Sequence, residues 1–166
     1  FDLNFAGERL PTTWLVTLDA AVSVSFLAGV ALFYRWWKRR HREPDEITKM
    51  CIGSLFSVAG MLCLAAAGAV PPDRPIGLGL PLLFHVLNSI GFAHILPVSL
   101  ALFARLAPPA VGSTAIGFYY LAFFLGSALV GWAGGLMGNM GPVAFWLMHA
   151  GFAAAAGLVF LALRWR

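Results

Sequence analysis

The sequence predicts an all-α fold, a polytopic bundle of five transmembrane helices, from its composition and from the spacing of its apolar residues. Only 11% of the 166 residues are charged and 60% are hydrophobic, whereas a soluble domain averages about 25% charged residues. The apolar residues form five runs, each with the ~20 residues needed to cross ~30 Å of hydrocarbon. The alternation of a membrane barrel is absent, so helices must satisfy the backbone hydrogen bonds in lipid.

Each apolar run ends at charged, proline-rich or glycine-rich sequence. The predicted helices cover about residues 13–37, 48–70, 78–106, 111–137 and 142–163. The connections "VPPDRPIG", "APPAVG" and "GNMGP" contain the residues that favour turns. Because these connections are short, we expect consecutive helices to run antiparallel. Small residues recur every four positions in the helices, for example Gly53 and Ser57, and predict close helix packing within the bundle.

The basic residues indicate how the chain is oriented in the membrane. Nine of the eleven Lys and Arg residues fall in the first connection, "RWWKRRHREPDEITK", in the third connection or at the C-terminus. Only Arg9 and Arg74 fall on the other side. The positive-inside rule therefore predicts an outside N-terminus and a cytoplasmic C-terminus. We expect the membrane to be a bacterial inner membrane. The net charge of +4 is explained by this topology, so we expect the lipid bilayer as a partner and no nucleic acid.

The start of the chain predicts that further sequence precedes it. Phe1 is not a Met, and no basic leader follows it. An outside N-terminus followed by five helices has no evident route across the membrane. We therefore expect the chain to be the C-terminal part of a longer protein.

Polar residues inside apolar helices are functional candidates, because a charge in the membrane core costs several kcal/mol. Asp19 lies about two turns into the first predicted helix, and Ser23 follows one turn later on the same face. The third helix contains "HVLNSIGFAHILPVSL", in which one face carries His85, Asn88 and Phe92, with Ser99 further on. Each of these side chains is either a packing residue or part of a polar pathway.

Two further features of the apolar helices bear on function. Pro97 predicts a kink in the third helix, because it removes one backbone hydrogen bond and clashes with the carbonyl of Ala93. No motif of soluble-type catalysis or metal binding is present, so we expect neither an enzyme nor a cofactor. The sequence leaves one cofactor alternative open, since His85 and His149 on different helices are of the type that ligates haem.

The stretch around Pro97 resembles a motif of the proton-coupled oligopeptide transporters, which belong to the major facilitator superfamily. In that family the tenth helix reads like I-G-E-x-x-x-S-P-x-G, followed by a basic residue and A-P. This sequence matches it without a gap at Ile90, Gly91, Pro97, Arg105, Ala107 and Pro108. The next family helix reads like M-G-x-W-F-L, and matching positions here are Ile116, Gly117, Tyr119, Tyr120 and Leu121.

The resemblance implies helices eight to twelve of a major facilitator transporter, with the upstream half missing. Two six-helix halves would then rock about a midplane site. The site departs from the family pattern: Phe92 replaces the glutamate, Leu96 the serine, Asp19 a helix-eight asparagine and Tyr119 a tryptophan.

The resulting prediction is a secondary active transporter fragment for proton-coupled uptake of peptides or related small amine-bearing solutes. Its partners would be the missing N-terminal half, a small solute and protons. The alternative is a non-transporting membrane subunit or a haem-carrying membrane protein. The candidate site comprises Asp19, Ser23, His85, Asn88, Phe92, Leu96 and Tyr119, with Pro97 as a helix kink.

Overall fold

The computed structural model describes residues 4–5, 8–9, 12–71, 73–74 and 76–165 of the chain. Its five helices are α1 (Thr12–Trp37), α2 (Glu46–Gly68), α3 (Gly79–Leu106), α4 (Gly112–Gly134) and α5 (Pro142–Arg164). A 3-10 turn, Pro109–Val111, leads into α4. Before α1, the two-residue strands β1 (Asn4–Phe5) and β2 (Glu8–Arg9) pair antiparallel. All five helices are long and apolar enough to cross a membrane, which confirms the predicted all-α membrane bundle.

The observed helix ends differ from the predicted ones most clearly in α2 and α4. Helix α2 begins two residues before the predicted start, because Asp45 caps it by accepting a 2.7 Å hydrogen bond from the backbone N–H of Thr48. Helix α4 ends three residues before the predicted end, at the adjacent pair Gly134 and Gly135. Glycine is a poor helix former, so two in succession favour the turn that follows.

Helix α3 contacts three of the described helices, α1, α2 and α4, and α2 packs between α3 and α5. Glycines permit this close approach: a Cβ atom at Gly53 would lie 2.8 Å from the carbonyl oxygen of Gly91. In the same way, a Cβ at Gly91 would lie 2.6 Å from the hydroxyl of Ser57. On the other side of α2, a side chain at Gly157 of α5 would collide with Ser54. Small residues thus set the helix separations, as expected for packing in lipid.

Helices α1 and α4 pack differently, because each of them contacts only α3 among the described helices. Most of their remaining surface is exposed and apolar, including Leu32 on α1 and Leu129 on α4, whereas Ala133 near the end of α4 is buried. The small-residue stripe of α1, Ala21, Ser25 and Gly29, is exposed along its whole length. Two open helix faces therefore flank α3, and no described helix covers them.

The end of the bundle that carries most of the basic residues is joined by ion pairs. Arg105, in the last turn of α3, places Nη1 2.7 Å from Oε1 of Glu46 at the start of α2. Lys49, in the first turn of α2, forms an ion pair with Glu43, which lies in the loop between α1 and α2. The ammonium group of Lys49 also lies 4.6 Å from the centroid of the Tyr34 ring. These contacts connect the ends of three helices, at the membrane boundary that the sequence predicts to be cytoplasmic.

Candidate functional site

Two candidate residues from different helices meet between α1 and α3. The Oδ1 atom of Asp19 lies 2.7 Å from Nδ1 of His85, which is a charged pair when the imidazole is protonated. The His85 side chain is 17% exposed and the Asp19 side chain 46%, so the carboxylate faces the open side of the pair. A carboxylate within a membrane-spanning helix is costly unless it has such a partner. The pair therefore marks a polar point on an otherwise apolar interface.

A second polar contact lies one turn further along both helices. The hydroxyl oxygens of Ser23 and Ser89 are 3.1 Å apart. Ser89 is completely buried and is four residues after His85, on the same face of α3. Since Ser23 is four residues after Asp19, the two contacts repeat with the helical period. Together they form a polar seam between α1 and α3, defined by Asp19, His85, Ser23 and Ser89.

The remaining candidate residues line a cleft between α3 and α4. The cleft has a volume of about 210 Å³, and its lining includes Asn88, Phe92, Leu96 and Tyr119. The Tyr119 hydroxyl lies 2.9 Å from the buried hydroxyl of Ser99 and 3.4 Å from the carbonyl oxygen of Leu96. These contacts fix the phenol at the wall of the cleft. The structure thus divides the predicted site into a polar seam and an adjoining, mostly apolar cleft.

The other polar residues of the apolar helices contact their own surroundings. Helix α3 continues through Pro97, which lines a different cleft, on the side of α1. The buried His94 donates from Nδ1 to the carbonyl of Ile90 at 2.8 Å, and its Nε2 accepts from the Tyr34 hydroxyl at 3.1 Å. His149 donates to the carbonyl of Phe145 at 2.9 Å. Both His94 and His149 are thus held by their own helices.

The sequence interpretation did not select Ser89 or Tyr34. Serine is common in membrane helices, and its role becomes visible only when the partner hydroxyl of Ser23 is located. The spacing of four residues from His85 was the available signal for Ser89. Tyr34 had no such signal, because its partner His94 is 60 positions away in sequence.

The described residues offer no cluster of three or more His, Cys, Asp and Glu side chains that could hold a metal ion. The two histidines of the haem alternative each have Nδ1 engaged, His85 with Asp19 and His149 with the Phe145 carbonyl. His85 faces α1, whereas His149 lines a cleft with residues of α2 and α4.

The fold and the site define an integral membrane helical bundle in which a polar seam adjoins a cleft between neighbouring helices. Among curated proteins, the chain is similar to the peptide transporter YePEPT of Yersinia enterocolitica subsp. palearctica serotype O:3 (strain YE-P4). The two are 27% identical over an alignment of 142 positions, which covers 81% of this chain and 27% of that protein.

The chain therefore spans about a quarter of the length of that relative. No family model matches the chain, and no solved structure matches it. The similarity indicates a distant relationship to a peptide transporter.

Proposed function

We propose that the chain is part of a secondary active transporter that takes up peptides or related small amine-bearing solutes together with protons. The observation that carries the proposal is the Asp19–His85 pair between two membrane-spanning helices. A half-exposed carboxylate in this position can bind a protonated amine, and its imidazole partner can exchange a proton. The similarity to a peptide transporter supports the same class of function and does not favour the non-transporting alternative.

The geometry of α3 suggests how a solute would lie in the site. His85 and Phe92 share a face of α3 and are seven residues apart, or about 10 Å along the axis at 1.5 Å per residue. An extended peptide of three residues spans at most about 10 Å. Its amino group would pair with Asp19 while its remaining atoms reach the cleft lined by Phe92 and Tyr119. This assignment moves the negative charge from the family's helix-ten glutamate to α1.

The proposed transporter also needs further helices, as alternating access requires a second half for the bundle to rock against. Two observations support such a partner. The exposed apolar faces of α1 and α4 are contacted by no described helix, and the chain matches only 27% of the length of its relative. We propose that these faces pack against the N-terminal half of the protein, with the C-terminus of the chain in the cytoplasm of a bacterial cell.

The test is uptake of radiolabelled dialanine into proteoliposomes that contain the full-length protein, under an inward proton gradient. Wild-type protein and the matched control Asp45→Asn, which makes the same change outside the membrane, are expected to show saturable uptake. Asp19→Asn is expected to lose most of it, and Phe92→Glu in that background to regain part of it. Uptake by Asp19→Asn at the wild-type rate and affinity would refute the role of the pair. Absence of uptake for dialanine and for other amine-bearing solutes in wild-type vesicles would refute the function.

A further inference from the structure

A second cleft, distinct from the candidate site, opens between α1 and α3 near the basic end of the bundle. Its volume is about 280 Å³, and it includes Ala93, His94 and Pro97 of α3. On α1 the lining begins at Leu27, eight residues or about 12 Å along the axis after Asp19, and on α3 it begins at Ala93, eight residues after His85. The second cleft therefore lies away from the Asp19–His85 pair, and the proposed transport function does not use it.

The side of this cleft formed by α1 and the turn that follows it is apolar at one end and positively charged at the other. Its inner part is apolar and consists of Leu27, Val30 and Ala31, and its outer part carries Arg35 and Lys38. From Leu27 to its last residue, Trp37, α1 rises by about 15 Å, and Lys38 follows directly. One leaflet of hydrocarbon is about 15 Å thick, half of the ~30 Å membrane core. The cleft thus runs from the headgroup level to near the middle of the bilayer.

The charges at the outer end of the cleft favour an anion. Glu43 is the one acidic residue of the described lining, and it is already paired with Lys49. Arg35 and Lys38 form no ion pair with any residue of the described ranges. The neighbouring Trp36 is 55% exposed, and exposed Trp residues are typical of the membrane–water interface. Arg35 and Lys38 therefore lie at the level of the lipid headgroups, next to the apolar part of the cleft.

We propose that this cleft binds one anionic phospholipid of the adjacent leaflet. The phosphate of the headgroup would pair with Arg35 and Lys38, and one acyl chain would lie along Leu27, Val30 and Ala31. A soluble anion would match the cations and leave the apolar wall exposed, whereas a lipid matches both parts of the cleft. The bound lipid would fill the space between α1 and α3, the only described helix that α1 contacts.

The test is native mass spectrometry of the protein released from a neutral detergent with equal amounts of phosphatidylglycerol and phosphatidylethanolamine. A neutral micelle has no charged membrane surface, so retained lipid reports local contacts. The double variant Arg35→Gln/Lys38→Gln is compared with Arg39→Gln/Arg40→Gln, which removes two charges from the turn after α1 and outside the cleft lining. Each removed contact is expected to lower the affinity for phosphatidylglycerol roughly fivefold, and the control is expected to keep wild-type affinity.

A second pair of variants tests the acyl-chain part of the proposal. Ala31→Trp fills the apolar wall, whereas Ala28→Trp places the same ring on an exposed position outside the lining. Ala31→Trp is expected to reduce retention of phosphatidylglycerol and Ala28→Trp to leave it unchanged, with circular dichroism confirming that both variants fold. Equal losses in each variant and its control would overturn the proposal, as would displacement of the lipid by inorganic phosphate at millimolar concentration. Retention of both lipids to the same extent by wild-type protein would overturn it as well.

Discussion

The carboxylate of Asp19 and the imidazole of His85 lie 2.7 Å apart, although 66 positions separate them in sequence. This contact joins α1 to α3, and α1 has no other described helix as a neighbour. The serine contact between Ser23 and Ser89 continues the same interface at 3.1 Å. One polar interface therefore both positions α1 and presents a half-exposed carboxylate.

Removing either member of the pair is expected to destabilise the α1–α3 interface. Polar contacts between membrane helices couple by about 0.6 kcal/mol on average and by up to about 1.7 kcal/mol. Because Asp19 and His85 contact each other, the double variant Asp19→Asn/His85→Gln should cost less than the sum of the single variants. The measurement is reversible unfolding in mixed micelles, arranged as a double-mutant cycle. Strict additivity would show that the two side chains do not interact.

The close contact between α2 and α3 predicts that a large side chain destabilises the protein at Gly91 and is tolerated at Gly29. Gly91→Ile is expected to destabilise the protein by about 1–3 kcal/mol or more, since its Cβ would collide with Ser57 and the backbone of Gly53. The matched control is Gly29→Ile on α1, where no described atom lies within 4 Å of an added Cβ. Thermal unfolding in detergent compares the two variants. Equal tolerance of isoleucine at both positions would contradict the close α2–α3 packing.

The cap of α2 predicts a pH-dependent contribution to stability outside the membrane. The hydrogen bond from the Thr48 backbone N–H lowers the pKa of Asp45 below its ordinary value of 3.8. A lowered folded-state pKa means that the stabilisation is complete above the ordinary pKa and is lost as the pH falls through the lower one. Asp45→Ala should cost about 1 kcal/mol at neutral pH. Asp45→Asn should keep most of the cap. Its stability, measured by thermal unfolding, should fall less than that of the wild type between pH 5 and pH 2, because the contribution of Glu46, whose pKa is also lowered, remains in both proteins.

The distribution of basic residues predicts the orientation of the chain in the cell. His41→Cys, in the loop between α1 and α2, should react with a membrane-impermeant maleimide only after the cells are opened. Asp73→Cys, in the turn before α3, should react in intact cells. Both positions are exposed, so access of the reagent depends on the side of the membrane. The reverse pattern of labelling would invert the topology.

The sequence was sufficient to predict the fold class, because long apolar runs in lipid must be helices. It was also sufficient to single out Asp19 and His85 as polar residues within apolar helices. Their contact was not predictable, since it depends on which face of α1 packs against α3. That choice is made by tertiary packing and leaves no pattern in the local sequence. For the same reason Ser89 was missed, although it is the most deeply buried hydroxyl of the polar seam. The start of α2 depends on the cap at Asp45, and the end of α4 depends on the glycine pair at Gly134. Hydropathy alone predicts neither of these ends.

If Asp19 binds the amino group of a solute, its affinity must depend on the positive charge of that group, which a pair of ligands with and without the charge tests. Binding of dialanine and of N-acetyl-dialanine to the purified full-length protein is measured by calorimetry, for wild type and for Asp19→Asn. We expect acetylation to weaken binding to the wild type by at least tenfold, because it removes the positive partner of the carboxylate. In Asp19→Asn the two ligands should bind with similar, weaker affinity. If acetylation weakens binding by the same factor in both proteins, Asp19 does not bind the amino group of the solute.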